Sequence, residues 1–129
     1  MPRNPNLLLV ERTADGAPLG TASWRPANYG PDEKSRAWQL GIALIPKARG
    51  QGFGPVVLRL LALHLFTTTS ANRIEAMTDT AKVASRRALE KAGFTAEGIA
   101  RGSQFRAGQP RDLVVYSLLR DEAPGDHRD

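Results

Sequence analysis

The chain has 129 residues, of which 41% are hydrophobic, enough for one modest core and too few for two domains. It contains no cysteine, which excludes disulfides, thiolate nucleophiles and cysteine-based zinc or iron–sulfur sites, and nothing else in it suggests a metal site. A formal charge of +5 is spread along the chain without a dense basic cluster, so a nucleic-acid binder is the least favoured reading and local positive charge for an anionic small molecule is the alternative. No apolar stretch approaches the roughly 18–20 residues that span a bilayer, and Met1–Asn6 carries no signal-peptide core. The expectation is a soluble, cytoplasmic protein with no membrane partner.

Leu7–Thr13 is an apolar run, Asp15-Gly16 a turn, and Leu19–Trp24 the returning strand, which together predict a hairpin. Asn28–Ser35 mixes glycine, proline and charge without periodicity and reads as an exposed loop before a strand over Ala37–Ile45. Arg49-Gly50-Gln51-Gly52-Phe53-Gly54 then separates that strand from a long apolar helix expected over Pro55–Thr67. Three glycines on alternate positions strip Cβ atoms from one side of the turn. Backbone N–H groups can then converge on an anion at the positive end of the helix dipole. Pro55 suits the first turn, where its missing N–H costs nothing. The spacing is neither a Walker loop nor G-x-G-x-x-G. His64 in this helix has no carboxylate neighbour in the local sequence and reads as structural.

Arg73–Asp79 is a short strand and Val83–Ala92 a second helix, with Arg86 and Glu90 spaced as an i,i+4 pair. Gly93 stops that helix, and Phe94 folds back on its last turn. Two strands, near Glu97–Phe105 and Leu113–Leu119, are joined by Ala107-Gly108-Gln109-Pro110. The order β-β-β-α-β-α-β-β predicts an α+β fold, a mixed and mostly antiparallel sheet with helices packed on it, as one domain over residues 1–122. Residues 123–129, including His127, read as a disordered tail.

The turn also fits Gln/Arg-x-x-Gly-x-Gly/Ala, met by Arg49, Gly52 and Gly54 after Pro46. In this it resembles the pyrophosphate-binding turn of the GNAT superfamily, the acyl-CoA-dependent N-acyltransferases. Ala84-Ser85-Arg86-Arg87-Ala88-Leu89-Glu90-Lys91-Ala92-Gly93-Phe94, with Glu97, Gly98 and Arg101, is similar to the late helix and strand of the branch typified by ribosomal-protein alanine acetyltransferases. Gly108, Asp112 and Val115–Glu122 are similar to its closing strand. The resemblance covers the last two-thirds of the chain. It also implies that one strand and two helices, which usually form the floor and a wall of the acceptor site, would precede Leu7.

The resemblance implies acetyl-CoA as cosubstrate, its pyrophosphate on Arg49, Gly50, Gln51, Gly52, Phe53 and Gly54. Lys47, Arg73, Arg86 and Arg87 are further cations near the turn or the later helix. The pantetheine would lie between splayed strands, Leu40–Ile45 and Arg73–Thr78, with the amide of Leu44 or a near neighbour such as Ile45 as oxyanion donor. Where many relatives carry a glutamate base in Glu-Ile-Gly, this chain has Gln39-Leu40-Gly41. An amide cannot take a proton at neutral pH, so Gln39 is left to position a water or the acceptor. Asp32, Glu33, Glu75 and Asp79 are the alternative carboxylates. Ser85, at the serine of the branch's Asn-x-x-Ser phrase, is the first candidate proton donor to the departing thiolate and Tyr116 the second. Lys82 stands where the branch has the asparagine, which removes a usual pantetheine contact, and the lysine could instead reach a phosphate of the cosubstrate. Two readings follow. One is an N-acetyltransferase acting on a small-molecule amine or a protein N-terminus. It would form a homodimer, because losing the front elements should uncover apolar sheet surface. The other is a catalytically inactive CoA-binding or partner-binding module.

Overall fold

The computed structural model of the chain describes residues 6–123. Six strands, β1 (Leu7–Glu11), β2 (Pro18–Asn28), β3 (Arg36–Leu44), β4 (Arg73–Asp79), β5 (Thr95–Arg106) and β6 (Gln109–Leu119), form one sheet in the order β1-β2-β3-β4-β6-β5. Two helices, α1 (Phe53–Thr68) and α2 (Val83–Lys91), interrupt them at the expected places. Every neighbouring pair is antiparallel except β3 with β4. The mixed, mostly antiparallel α+β architecture expected from the element order is the one found.

Alternation along the strands sorts side chains onto two faces. Ala22, Leu40, Ile74, Ala76, Val114, Tyr116 and Leu118 share one face, and all are buried in a single cluster with Leu58, Leu61, Leu65 and Phe66 of α1 and Leu89 of α2. Both helices therefore cover the same side of the sheet. They also touch each other: a Cβ at Gly54 would come within 3.3 Å of the Ala88 Cβ, and Arg59 Nη1 of α1 donates to the Lys91 carbonyl at the end of α2. Arg120 closes the other end of α1, donating to the carbonyls of Phe66 (2.6 Å), Thr69 (2.7 Å) and Ala71 (2.8 Å). Phe66 lies in the last turn of α1, where carbonyls run out of intrahelical donors, and Thr69 and Ala71 follow in the segment just beyond it.

Local chemistry sets the boundaries. β2 runs on to Asn28, well past Trp24, because β3 pairs with it as far as Asn28↔Arg36. Pro26 is tolerated there because Trp24 N–H already points outward, to the Asn6 carbonyl, and the absent N–H of Pro26 falls on that same outer edge beyond the start of β1. Helix α2 ends in a Schellman arrangement, with Phe94 N–H on the Leu89 carbonyl, Gly93 N–H on that of Glu90, and Gly93 at φ 99°. The β5–β6 hairpin turns on Ala107 and Gly108 alone, both at positive φ, so Gln109 and Pro110 belong to the strand.

Two expectations need correction. Arg86 and Glu90 form no ion pair: Arg86 Nη1 donates to the Thr80 carbonyl (3.1 Å), and the Glu90 carboxylate accepts from the Tyr116 hydroxyl (2.8 Å). Helical spacing placed the two side by side, but nearer partners on neighbouring elements claim both. The centre of the sheet face away from the helices is also not the apolar surface expected, since it carries Arg25, Gln39, Arg73, Glu75 and Ser117 in a bonded network. Ala123, first residue of the expected tail, is buried, and residues 124–129 lie outside those described.

Candidate active site

Arg49–Gly52 forms the turn between a short 3-10 segment, Pro46–Ala48, and α1. Gly52 is the N-cap of α1 at φ 84° and ψ 7°, a left-handed conformation, and Gly50 lies at φ 73°. A Cβ at either glycine would meet nothing within 4 Å. The turn is thus open on the side that side chains would otherwise fill. No side chain caps α1, so the first N–H groups of its opening turn are available to an anion. The helix begins at Phe53, two residues before Pro55, and the proline still sits in the turn where an N–H has no helical partner. Around it, Gln51 Nε2 donates to the Lys47 carbonyl (2.5 Å) and Arg49 Nε to that of Leu44 (3.1 Å), which ties the turn to the end of β3.

The parallel junction beside this turn is short. β3 and β4 pair at Trp38↔Ile74, Gln39↔Glu75 and Leu40↔Ala76 and no further, although β3 continues to Leu44 and β4 to Asp79. Beyond Leu40 the strands fork. Ile45 N–H donates to the Leu19 carbonyl (2.8 Å), back toward β2. Successive N–H groups on a strand point opposite ways, so that of Leu44 is turned to the fork. Ser85 is exposed in the first turn of α2, three residues from Ala88 and hence on the same helix face, one turn nearer the α2 N-terminus than the contact with Gly54. Lys82, the α2 N-cap residue, is also exposed and makes no side-chain capping bond. Tyr116 is fully buried. Its hydroxyl ties β6 to α2 through Glu90, and burial raises its pKa.

On the opposite face of the closed end of the fork lies the network that sequence reasoning did not assemble. The Gln39 amide is held at both ends: Oε1 accepts from Arg25 Nη2 (2.6 Å) and Nε (3.0 Å), and Nε2 donates to Glu75 Oε1 (3.3 Å). Glu75 is 1% exposed and its Oε2 accepts from Arg73 Nε (2.8 Å) and from the Tyr29 hydroxyl. Burial alone would raise its pKa, but the bonds from Tyr29, Arg73 and Gln39 outweigh it and hold the carboxyl below its ordinary value. Arg73 in turn grips Glu97 through both Nη atoms (2.7 and 2.8 Å), and Glu97 is lowered to about 2 by that contact and by the Ser117 hydroxyl. Of the other carboxylates, Asp32 caps the 3-10 segment Glu33–Ser35, and Asp79 is held by Arg111 (2.8 Å), the Ala81 N–H (2.8 Å) and Arg106 (2.5 Å), which keep it strongly acidic. Among the described residues no group of three or more His, Asp or Glu is placed to hold a metal ion, and no helix is long and apolar enough to cross a membrane.

A glycine turn capping a helix, set beside a forked parallel strand pair in an otherwise antiparallel sheet, defines the fold class of the acetyltransferases. The acetyltransferase (GNAT) domain family matches residues 2–95, and the chain belongs to that family. It is 33% identical over 88 residues to the uncharacterized N-acetyltransferase YoaA of Bacillus subtilis (strain 168), which covers 68% of this chain and 50% of that protein. The chain spans about half the length of the curated relatives it matches. Its fold superposes with a TM-score of 0.78 on the ribosomal-protein-S5-alanine acetyltransferase of Vibrio fischeri, at 21% identity over 91% of this chain and 62% of that one. The spermidine N-acetyltransferase of Vibrio cholerae, solved in complex with CoA and spermine, gives the same TM-score at 19% identity, over 91% and 66% of the two chains. At these identities the two structures bear on the fold alone.

Proposed function

We propose that this protein is an acyl-CoA-dependent N-acyltransferase, moving an acetyl group from acetyl-CoA directly to a primary amine of a small molecule or a protein N-terminus. The observation that carries the reading is the open turn at Gly50 and Gly52, with the uncapped start of α1 behind it and the fork beside it. These residues fit a diphosphate: a concave backbone surface, free N–H groups, and Lys47 and Arg49 close by. Arg49–Gly54 would hold the cosubstrate's pyrophosphate, with Lys82 and Ile45 at the margins. Bound there, acetyl-CoA supplies a thioester whose carbonyl carbon accepts the amine.

The chain's own residues then have defined tasks. The Leu44 N–H, aimed into the fork, stabilises negative charge on the carbonyl oxygen. As the new C–N bond forms and the C–S bond breaks, the amine gives up a proton to water and the sulfur gains one through Ser85, which water reprotonates. Ser85 is the proposed donor to sulfur, and Tyr116 stays behind it as the tie between β6 and α2. Gln39 orders its neighbours without exchanging a proton.

A second reading, an inactive CoA-binding module, is favoured by one observation: both ends of the Gln39 amide are already occupied by protein groups. Incubation with acetyl-CoA and a panel of alkylamines, diamines and alanine-terminated peptides, following free thiol with a disulfide reagent, separates the two. Thiol release above the amine-free background is expected, and CoA binding without release from any amine would leave only the module. Gly52→Val forces a β-branched residue into a left-handed conformation over the turn. It is expected to weaken CoA binding by calorimetry more than tenfold, and unchanged binding would sink both readings.

A homodimer belongs to the same proposal. Leu7, Leu8 and Leu9 are all exposed on the edge strand β1, and a second copy would cover them. Sedimentation giving a monomer at micromolar concentration would refute it.

A further inference from the structure

We propose that Glu75, not Gln39, is the group that receives the acceptor's ammonium, and that the Tyr29 hydroxyl is a placeholder on it. The inference rests on the acyl-transfer reading above and adds the residue that meets the amine.

Three observations carry it. The first is position. Glu75 is the register partner of Gln39, on the middle of the three rungs and one short of the fork, and its neighbours Ile74 and Ala76 lie in the core under α1. Alternation therefore puts its carboxylate on the face opposite the helices, next to the fork's closed end. A cosubstrate gripped by the turn at the head of α1 would reach the fork from one side of the sheet, and an amine on Glu75 would meet it from the other.

The second is charge. Arg73 is the guanidinium bonded to Glu75, and it makes one bond there against two to Glu97. Two carboxylates share one cation. The other donors to Glu75, the Tyr29 phenol and the Gln39 amide, are neutral. Arg25, the next cation along the network, spends itself on the Gln39 oxygen and is exposed to solvent screening. A buried carboxylate with part of its charge unmatched attracts a cation, and a charge-assisted hydrogen bond is roughly twice as strong as a neutral one. Among the described residues, Oε1 in particular carries only the 3.3 Å bond from Gln39.

The third is access. Tyr29 reaches down to Glu75 from the loop between β2 and β3, yet the residue as a whole is 65% exposed. Its main chain is fastened independently, by its N–H to the Ser35 carbonyl. Rotation about its side-chain bonds uncovers the carboxylate without unfolding the loop. The Arg73 guanidinium lies 5.8 Å from the centre of the Tyr29 ring, so the same residue screens the pair from water while it is closed.

The test uses butylammonium chloride as the cationic probe on the full chain carrying ring-labelled tyrosine. There are only two tyrosines, so the signals of Tyr29 are identified by their loss in Tyr29→Phe. Butylammonium is expected to shift the Tyr29 ring signals in the wild type and to leave them in place in Glu75→Gln, with sodium butyrate as the control that shifts neither. Unmoved Tyr29 signals in the wild type overturn the proposal. Kinetics give a second, independent sign. With the best amine of the thiol-release panel, Tyr29→Phe removes the competitor and lowers the amine KM severalfold, while Glu75→Gln raises it more than tenfold with CoA affinity unchanged. A merely structural Glu75 predicts that both substitutions weaken turnover together, and that result also overturns it. The titration needs no acetyl-CoA. A Tyr29 response lost in Glu75→Gln, in a protein that releases no thiol, would therefore uphold the cation site while the acyl-transfer reading falls.

Discussion

The two faces of the sheet are built on different principles from the same strands. Under the helices, Leu40, Ile74, Tyr116 and Leu118 meet the leucines of α1, and the attraction is non-directional apolar burial. One residue along each strand, Gln39, Glu75 and Ser117 face the other way, and there every contact is a named donor on a named acceptor. Glu75 is nevertheless almost as buried as Ile74. Burial alone therefore does not say which face stabilises the fold. Apolar packing tolerates exchange among residues of similar volume, whereas a polar network fails when one partner is removed. The helical face makes the domain stable, and the open face fixes which charged group stands at which rung.

The comparison breaks most visibly at Leu65, which is 2% exposed within the core. Leu65→Ala should cost about 2–5 kcal/mol, read as a lower urea midpoint, because the helix–sheet interface closes only partly over the lost volume. A loss under about 1 kcal/mol would show that α1 rests loosely on the sheet. The open face answers to pH instead. Arg73 and Ser117 hold Glu97 at about 2, against an ordinary 4.5, so its contribution is complete above about pH 4.5 and drains away as pH falls toward 2. Glu75 and Asp79 are lowered as well and add to the slope with the same sign. Urea midpoints measured across that window should fall in the wild type, fall in parallel in Leu65→Ala, and fall less steeply in Arg73→Met, which lacks the shared cation. Equal slopes in all three would mean that the network on the open face adds nothing to folding.

Much of the covered face was legible in the sequence because it depends on local pattern. Arg73–Asp79 has the predicted limits, α2 starts at Val83 as expected, and Gly93 ends it for the reason that its position suggested. The turn from Arg49 to Gly54 was legible too, since glycine spacing and a following helix are neighbours in the chain. The open face was not. Glu75 meets Arg73 from its own strand, but it draws Tyr29 and Gln39 from separate parts of the chain, and their meeting depends on strand order and register. Neither can be read from any one segment. The expected Arg86–Glu90 pair failed for the same reason, because helical spacing says which side chains are neighbours and not what another element brings closer. Arg120 read only as part of a closing strand, and its grip on three carbonyls in and just past the last turn of α1 appears only once β6 lies beside that helix.

The three parallel rungs between β3 and β4 have a mechanical consequence. On one side of that seam the strands β1, β2 and β3 form a meander with contacts close along the chain, and on the other β4, β6 and β5 form a second antiparallel leaf. Each leaf is laced along most of its length, and the stitching between them is brief. Force applied across the sheet would meet its shortest run of backbone pairing at Trp38, Gln39 and Leu40, as at the spine of a book, with the core under α1 left to bind the two leaves.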